Sequence, residues 1–323
     1  MIKPNDTALR LFEILSASGI EAYAVGGFVR DSLMGLPVHD IDFAVSASPE
    51  ETKRLLSPFA KMIDTGLKFG TVTAVFEGVP FELTTFRADC GIKDGRHPQS
   101  VSFVRDIVSD LSRRDFTVNA MAWSPEKGLV DPFGGREDIA KRLIRCVGEP
   151  SLRFEEDALR ILRSLRFMSR LGFRLDDETA KALRQNAFRL KTISRERIFS
   201  ELSGIICGKN ACDTVTEYAD VISVALPELF AGGAFMLKRL PDELHLRFAA
   251  LFKNADDAEN GMFSLKSPRK LRERVVALRR LIPLPDDEKA ILILGIDNPP
   301  EILREAAYWN STGKTADIID RLR

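Results

Sequence analysis

The chain has 323 residues, more than one ordinary domain holds, so two or three folded units are expected. Hydrophobic residues make up 45% and charged residues 29%, as in globular proteins with a substantial core. Because 47 Lys and Arg balance 47 Asp and Glu, the net charge gives no indication of a nucleic-acid partner. Residues 141–200 nevertheless carry 15 Lys/Arg against 8 Asp/Glu, which is equally typical of a phosphate-binding face and of a solvated arginine-rich helix pair.

The cysteines and the hydropathy pattern exclude several other classes of protein. None of the four cysteines forms a C-x-x-C pair, so their spacing suits neither a zinc site nor a disulfide framework. Residues 1–10 are polar and lack a signal-peptide apolar stretch, and no apolar run is long enough to span a bilayer. We therefore expect no membrane association and a location in the reducing cytoplasm.

The first part of the chain has the pattern of a mixed α/β domain. A helical stripe is followed by Gly19, a short strand over 22–25, Gly26-Gly27 and a helix through Leu33. The helical stripe consists of Ala8, Leu11, Phe12 and Leu15. Further strands are predicted over 41–45, 71–76 and 79–86, with the last two joined at Glu77-Gly78, and a helix is predicted to begin at Pro49.

A glycine-bearing polar stretch over 91–98 predicts a mobile loop. Beyond about residue 141 strand signals nearly vanish, and helical periodicity continues to the end of the chain. One clear stripe is formed by Ala158, Ile161, Leu162, Leu165 and Met168. The fold class expected is therefore α+β: an N-terminal head with a mixed sheet, followed by a helical remainder.

Two carboxylates, Asp40 and Asp42, stand at i and i+2 on a predicted strand. Side chains at that spacing lie on one face, with Cα atoms about 6.5 Å apart. They can therefore share metal ions of the two-metal phosphoryl-transfer kind, and oxygen ligands favour Mg²⁺. The same D-x-D pattern is common in surface turns, although apolar Ile41 and Phe43 alternate with the acids as in a half-buried strand. Glu82, on another predicted strand, is either a third acid of this site or an ordinary polar-face residue.

Gly26-Gly27 lies between a predicted strand and a predicted helix, and Arg30 follows within that helix. Paired glycines allow the backbone to approach a phosphate, and the start of a helix attracts anions. Many strand–helix turns contain Gly-Gly for steric reasons only. The spacing is that of neither a dinucleotide fingerprint nor a P-loop.

Taken together, Gly26-Gly27-x-Val29-Arg30-Asp31 and Asp40-x-Asp42 resemble the metal-binding motif of class II tRNA nucleotidyltransferases and bacterial poly(A) polymerases. Other stretches resemble the same family in the expected order over roughly the first 200 residues. They are Thr84-Thr85-Phe86-Arg87, Arg113-Arg114-Asp115-Phe116-Thr117-Val118-Asn119-Ala120, Asp131-Pro132-Phe133-Gly134-Gly135, Glu156-Asp157-Ala158-Leu159-Arg160 and, more weakly, Arg195-Glu196-Arg197-Ile198 followed by Glu201-Leu202.

The resemblance implies a polymerase-β-like nucleotidyltransferase head (1–145), a helical neck with a nucleotide-selecting helix (146–205), and a helical, tRNA-binding body with a short tail (206–323). It also implies roles at matching positions. Asp40 and Asp42 would hold the metals, with Glu82 as a candidate third catalytic acid. The nucleotide-binding residues would be Gly27 and Arg30 at the triphosphate, Arg114 at the nucleotide, Asp115 and Asn119 supporting the ribose region, and Asp157, Arg160, Arg163 and Arg166 on the neck helix. Arg163 and Arg166 are alternatively plain solvated arginines.

Base selection by Asp157 and Arg160 also has a physical argument. Residues three apart share a helix face, where Asp offers only acceptors and Arg only donors. Cytosine and adenine each present an amino donor beside a ring-nitrogen acceptor, whereas uracil and guanine present the reverse. Such mismatched buried polar groups cost about 1–3 kcal/mol each. The alternative is a commonplace ion pair on a helix surface.

The activity implied is Mg²⁺-dependent addition of CCA, from CTP and ATP, to the tRNA 3′ end. The family's flexible loop is present here over 88–98, including Asp94 and Arg96, which favours addition of the terminal A. A-adding, poly(A)-polymerase or CC-adding activity is the alternative. A silent RNA-binding relative would not need Asp40 and Asp42, and a small-molecule nucleotidyltransferase would not need a basic neck.

Overall fold

The structure is a computed structural model that describes residues 2–38, 40–92, 98–104, 106–285, 287–309 and 318–320. The chain forms two compact units. The first contains Met1–Asp157 and Arg174–Leu183, and the second contains Ala158–Phe173 and Arg184–Arg323. The finer division into head, neck and body stays a prediction.

A mixed seven-stranded sheet organises the first unit, in the order β3-β4-β5-β2-β1-β8-β9. Within it only β2 and β5 pair in parallel, and every other neighbouring pair is antiparallel. Two further two-stranded sheets pair β6 with β7 and β10 with β11. The strands are β1 (Ala22–Val25), β2 (Asp42–Val45), β3 (Lys61–Gly66), β4 (Thr71–Phe76), β5 (Val79–Thr85), β6 (Arg87–Ile92), β7 (Pro98–Phe103), β8 (Ala122–Ser124), β9 (Gly128–Val130), β10 (Leu143–Ile144) and β11 (Arg174–Leu175).

Six helices lie wholly within the described part of the first unit. They are α1 (Asp6–Ala17), α2 (Gly27–Met34), α3 (Pro49–Leu56), α4 (Ile107–Ser112), α5 (Gly135–Ala140) and α6 (Pro150–Glu156). Short 3-10 helices cover Leu67–Phe69 and Thr117–Asn119. The start of α3 is set by its own sequence, because Ser48 caps the helix in a capping box with Glu51.

Apolar clusters cover both faces of the sheet. Alternate residues of the central strands point to opposite faces and so belong to different clusters. In β2, Phe43 and Val45 join one apolar cluster while Ala44 joins the other. The predicted stripe of α1 is confirmed, since its four residues are all buried in the first cluster. Aromatic rings lie at its centre, with Phe43 4.7 Å from Phe12 and 5.7 Å from Phe81 between ring centroids.

The predicted strand at 22–25 and the antiparallel pair at Glu77-Gly78 are confirmed. The predicted loop over 91–98 is corrected at its two ends, because β6 extends to Ile92 and β7 begins at Pro98, whereas 93–97 lie outside the described residues. Asp94 and Arg96 lie outside the described residues. The strand predicted from Ile41 begins instead at Asp42, where pairing with β1 and β5 starts.

The second unit is helical, as predicted for the remainder of the chain. Its helices are α7 (Leu159–Leu171), α8 (Asp177–Asn186, which begins in the first unit), α9 (Arg195–Ile206), α10 (Ala211–Glu217), α11 (Ala219–Ala225), α12 (Leu244–Ala250), α13 (Ala255–Ser264), α14 (Arg269–Leu281), α15 (Glu288–Asp297) and α16 (Pro300–Ala306). Further 3-10 helices cover Ala187–Thr192, Ala231–Lys238 and Ala307–Trp309. The predicted stripe ending at Met168 is confirmed as the buried face of α7. In the described residues, no helix is both long and apolar enough to cross a bilayer.

Truncating the central ring of the first core should be costly. We expect Phe43→Ala to lower the free energy of unfolding by about 3–5 kcal/mol, because it removes a buried ring and leaves a cavity. Denaturant unfolding monitored by circular dichroism measures this. The matched control is Phe59→Ala, whose ring is 55% exposed and whose truncation should cost no more than about 0.5 kcal/mol. Equal losses in both variants would contradict this placement of the core.

Candidate active site

Three carboxylates meet where β2 begins. Asp42 is the first residue of β2 and is directly paired in register with Glu82 of the parallel strand β5. Neighbouring strands lie about 4.8 Å apart, so these two acids stand side by side on the same face. Asp40 lies two residues before Asp42, and buried Ile41 separates them. The structure therefore brings Glu82, which was predicted on another strand, beside the predicted pair of Asp40 and Asp42.

The carboxylates repel one another. The pKa of Asp42 lies above its usual value of 3.8, first because surrounding protein partly desolvates the group, and then because Glu82 and Asp40 are negative. Arg114 acts in the opposite direction without cancelling the rise. A bound cation would relieve this repulsion, so the donor set fits a hard divalent ion such as Mg²⁺.

These acids do not form a complete metal cage. Among the residues that the structure describes, no group of three or more His, Cys, Asp or Glu side chains is arranged to hold an ion. Mg²⁺ in phosphoryl-transfer sites is commonly bound by one or two carboxylates together with waters and substrate phosphates. Two protein ligands are therefore a sufficient set for this kind of site.

The turn between β1 and α2 brings backbone close to Arg114. Gly26 has φ +67° and ψ −126°, a conformation that residues with a side chain rarely adopt. A Cβ built on Gly26 would stand 3.2 Å from Nη1 of Arg114. The first glycine of the pair is thus required for both backbone shape and close approach. Gly27, the predicted nucleotide-binding residue, is the first residue of α2, where backbone N–H groups lack partners within the helix.

Arg114 is held from α4 by a residue that sequence reasoning missed. Nη2 of Arg114 donates to Oδ2 of Asp110 at 3.1 Å, and Nη1 lies 3.5 Å from the carbonyl oxygen of Asn119. Nε of Arg114 is buried and has no acceptor among the described residues. A signal was present, because Asp110 stands between buried Ile107 and Leu111 and precedes Arg114 by four residues.

Arg30, Asn119 and Asp115 form a chain of hydrogen bonds. Nε and Nη2 of Arg30 donate to the two carboxylate oxygens of Asp31 at 2.8 and 2.9 Å. Nη1 of Arg30 donates to Oδ1 of Asn119 at 2.6 Å, and Nδ2 of Asn119 donates to Asp115 at 3.3 Å. Asn119 and Asp115 are buried. A triphosphate that reaches Arg30 would therefore meet a guanidinium that already donates to Asp31 and Asn119.

The shared helix face predicted for Asp157 and Arg160 is wrong. Asp157 has extended backbone, with φ −147° and ψ 104°, and separates α6 from α7. Arg160 belongs to α7, which begins at Leu159. The two residues therefore do not share a helix face. Asp157 still offers only acceptors, and Arg160 still offers only donors.

Arg163 and Arg166 of α7 are half-buried rather than plainly solvated. Their guanidinium carbons lie 5.7 and 4.7 Å from the centroid of the Phe167 ring. Nε of Arg166 also donates to Glu201 of α9 at 2.6 Å. Gly204 makes room for this arginine, since a Cβ there would stand 2.4 Å from Cδ of Arg166. Arg166 thus links α7 to α9.

Two families match separate parts of the chain. Residues 22–145 match the family described as the poly A polymerase head domain. Residues 172–221 match the family described as the probable RNA and SrmB-binding site of polymerase A.

Similar proteins cover most of the chain. The CCA-adding enzyme of Ligilactobacillus salivarius (strain UCC118) is 37% identical over 310 residues, which is 93% of this chain and 76% of that enzyme. The CCA-adding enzyme of Geobacillus thermodenitrificans (strain NG80-2) is 46% identical over 237 residues, 73% of this chain and 58% of that enzyme. The match thus spans less than two thirds of the latter relative. The crystal structure of the Bacillus stearothermophilus CCA-adding enzyme in complex with CTP superposes with a TM-score of 0.82 at 34% identity, covering 100% of this chain and 82% of that one.

Substituting Gly26 should disturb both the backbone and Arg114. We expect Gly26→Ala to lower stability by about 1–3 kcal/mol through backbone strain, and to weaken binding of CTP by displacing Arg114. Thermal unfolding and isothermal titration calorimetry measure the two effects. Gly78→Ala is the matched control, because Gly78 also has positive φ but its added Cβ would meet nothing within 4 Å. A Gly26→Ala protein that binds CTP like the wild type would refute the close approach of Arg114.

Repulsion at Asp42 should appear in the pH dependence of stability. Because the folded-state pKa is raised, the ionised Asp42 carboxylate disfavours folding above that pKa and has no effect below its usual value of 3.8. We therefore expect Asp42→Asn, without divalent cations, to be more stable than the wild type at pH 7, by no more than about 1 kcal/mol since the group is exposed. The gain should vanish as the pH falls below about 4.

Calorimetric unfolding between pH 3 and pH 8 in the presence of a chelator measures the difference. Asp64→Asn serves as the control, because exposed Asp64 is paired with Lys53 at 2.7 Å and gains nothing from neutralisation. If Asp42→Asn were less stable than the wild type at pH 7, the proposed crowding of carboxylates would be incorrect.

Proposed function

Because this chain belongs to the family of CCA-adding enzymes, we propose that it adds C, C and A to the 3′ end of tRNA without a nucleic-acid template, using CTP and ATP. The observation that best supports this proposal is the pairing of Asp42 with Glu82, with Asp40 and Arg114 close enough to act on the charge of Asp42. We propose that these groups together bind a cation and a triphosphate. The reaction is attack of the tRNA 3′-hydroxyl on the α-phosphate, in line with the departing pyrophosphate.

The protein contributes positioning and charge in this mechanism. Asp40 and Asp42 would hold Mg²⁺, which when bound supplies the positive charge that neutralises the triphosphate and polarises its α-phosphate. Glu82, beside Asp42, adds negative charge that favours cation binding. Arg114 binds triphosphate oxygens through its guanidinium, and the backbone N–H of Gly27 meets the same anion.

The hydrogen-bonded chain behind Arg114 shapes the rest of the nucleotide site. Asp115 and Asn119 support the ribose region, since their buried side chains fix the 3-10 helix whose Asn119 carbonyl contacts Arg114. Arg30 contacts the triphosphate from α2, and its hydrogen bonds to Asp31 and Asn119 orient the guanidinium.

Base selection is assigned to Asp157 and Arg160, and nucleotide binding is assigned to Arg163 and Arg166 as well. An acceptor from Asp157 and donors from Arg160 complement the edges of cytosine and adenine. This complementarity depends on the two side chains converging on a base and does not need a shared helix. The stretch that contains Asp94 and Arg96 is assigned to the switch from C to A addition, and A-adding, polyadenylating or CC-adding activity are the alternatives.

Removing either metal-binding acid should abolish the reaction. We expect Asp40→Ala and Asp42→Ala each to reduce incorporation of CMP and AMP by about 10³-fold or more, because several kcal/mol of charge stabilisation would be lost. Binding of tRNA should stay largely intact. Incorporation of labelled nucleotide and a tRNA gel-shift assay measure these effects. Asp64→Ala, which removes an exposed acid of β3, is the control and should stay active. Turnover by either active-site variant would refute the metal assignment.

Removing the proposed base acceptor should relax nucleotide choice. We expect Asp157→Ala to reduce discrimination against UTP and GTP by about 5- to 150-fold, since one mismatched polar group costs about 1–3 kcal/mol. Competition between labelled nucleotides at equal concentration measures the ratio. Asp177→Ala, which removes a 99% exposed acid at the start of α8, should leave selectivity unchanged. Unaltered selectivity in Asp157→Ala would exclude its role in base selection.

A further inference from the structure

Asp110 is a buried carboxylate that receives two arginines. Its side chain is only 2% exposed and lies on α4 between the buried residues Ile107 and Leu111. Oδ1 accepts hydrogen bonds from Nε and Nη2 of Arg113, at 3.1 and 3.0 Å, and from the backbone N–H of Arg87 at 3.3 Å. Oδ2 accepts from Nη2 of Arg114 at 3.1 Å. The two oxygens thus serve different arginines.

A carboxylate in this position is ionised. Burial alone would raise the pKa of Asp110, but the charges of Arg114 and Arg113 outweigh burial and hold the pKa below its usual value. The buried negative charge is therefore compensated by two guanidinium groups. Removing either arginine would leave part of that buried charge uncompensated.

Two nitrogens of the Arg114 guanidinium are held by neighbouring groups, and the third has no acceptor in the described part of the chain. Asp110 holds Nη2, and Nη1 lies over Gly26 and near the carbonyl oxygen of Asn119. Nε has no acceptor among the described residues, although it is buried. The arginine side chain has many rotamers, and ordering it costs up to about 2 kcal/mol of conformational entropy. An anchored guanidinium has already lost that entropy before a ligand arrives.

We propose that Asp110 is a positioning residue of the nucleotide site, which holds Arg114 over Gly26 in the orientation that binds the triphosphate of the incoming nucleotide. Asp110 acts through Arg114 and does not touch the nucleotide itself. The inference rests on the proposed function in its choice of ligand. It is tested by binding of CTP, which is measured separately from nucleotide transfer.

Arg113 provides a matched comparison. It shares the Asp110 carboxylate and is similarly exposed, at 18% against 19% for Arg114. Of these two arginines, however, it is Arg114 whose charge acts on Asp42. If Asp110 served only to stabilise the end of α4, removing Arg113 or Arg114 would have equivalent consequences. A positioning role instead couples Asp110 to Arg114 alone.

The experiment is a double-mutant cycle on CTP affinity in the presence of Mg²⁺, measured by isothermal titration calorimetry on the full chain. We expect Arg114→Ala and Asp110→Asn each to raise the Kd of CTP by about tenfold or more, which is the loss of a hydrogen bond to a charged group. The double variant should be no weaker than either single variant. Arg113→Ala should change the Kd by less than about twofold, and Asp110→Asn should keep its full effect in that background.

Asp110→Glu is a conservative variant for the case in which Asp110→Asn does not fold. It keeps the charge and moves the carboxylate by one methylene, so it should restore part of the CTP affinity lost in Asp110→Asn. If Asp110→Asn does not fold, the cycle is made with Asp110→Glu. Multiplicative effects of Asp110 and Arg114, or wild-type affinity in a folded Asp110→Asn protein, would overturn the inference.

The outcomes separate this inference from the proposed function. A wild-type protein that binds CTP but extends no tRNA, together with non-additive Asp110 and Arg114 effects, would refute the proposed function and support the positioning role. A protein that extends tRNA but shows additive Asp110 and Arg114 effects would support the proposed function and refute the positioning role. A wild-type protein that binds no CTP would overturn both.

Discussion

Partial desolvation of Asp42 beside two other carboxylates is the constraint on which the site of the first unit depends. The parallel pairing of β2 with β5 sets Asp42 beside Glu82, and Asp40 adds a third negative charge. Left uncompensated, this arrangement opposes folding. Arg114 offsets part of the repulsion, and a bound cation would offset the rest. The protein therefore keeps, in its folded state, an unbalanced charge distribution that favours cations and, through them, phosphates.

The compensating arginine needs an anchor of its own. Asp110 supplies it from α4, and Gly26 leaves the space in which the guanidinium lies. Substituting any one member of this group would displace the others, because each contact is made by the same planar guanidinium. The proposed roles follow one another along the chain, since the residues proposed for phosphate binding precede those assigned to base choice, which begin at Asp157.

Much of the first unit was predictable from the sequence because its signals are local. The hairpin at Glu77-Gly78 follows from two residues that both adopt positive φ, at 50° and 80°, between alternating apolar strands. The break at Asp157 was not predictable, since apolar Phe154, Ala158 and Ile161 continue the helical spacing through it without Pro or Gly. Pairing of Asp42 with Glu82 arises only from the tertiary contact between β2 and β5. The spacing of Asp110 from Arg113 and Arg114 is instead local, at three and four residues, so those two ion pairs were within reach of the sequence.

The most direct test of the proposed activity is a measurement of product length. The purified protein is given tRNAs that end before the first C, after C and after CC, with each nucleoside triphosphate separately and in combination. The account predicts that every substrate, given CTP and ATP, is extended to CCA and no further, and that UTP and GTP are not used. Extension into a long A tract, arrest after CC, or addition of A only to tRNA ending in CC would contradict it.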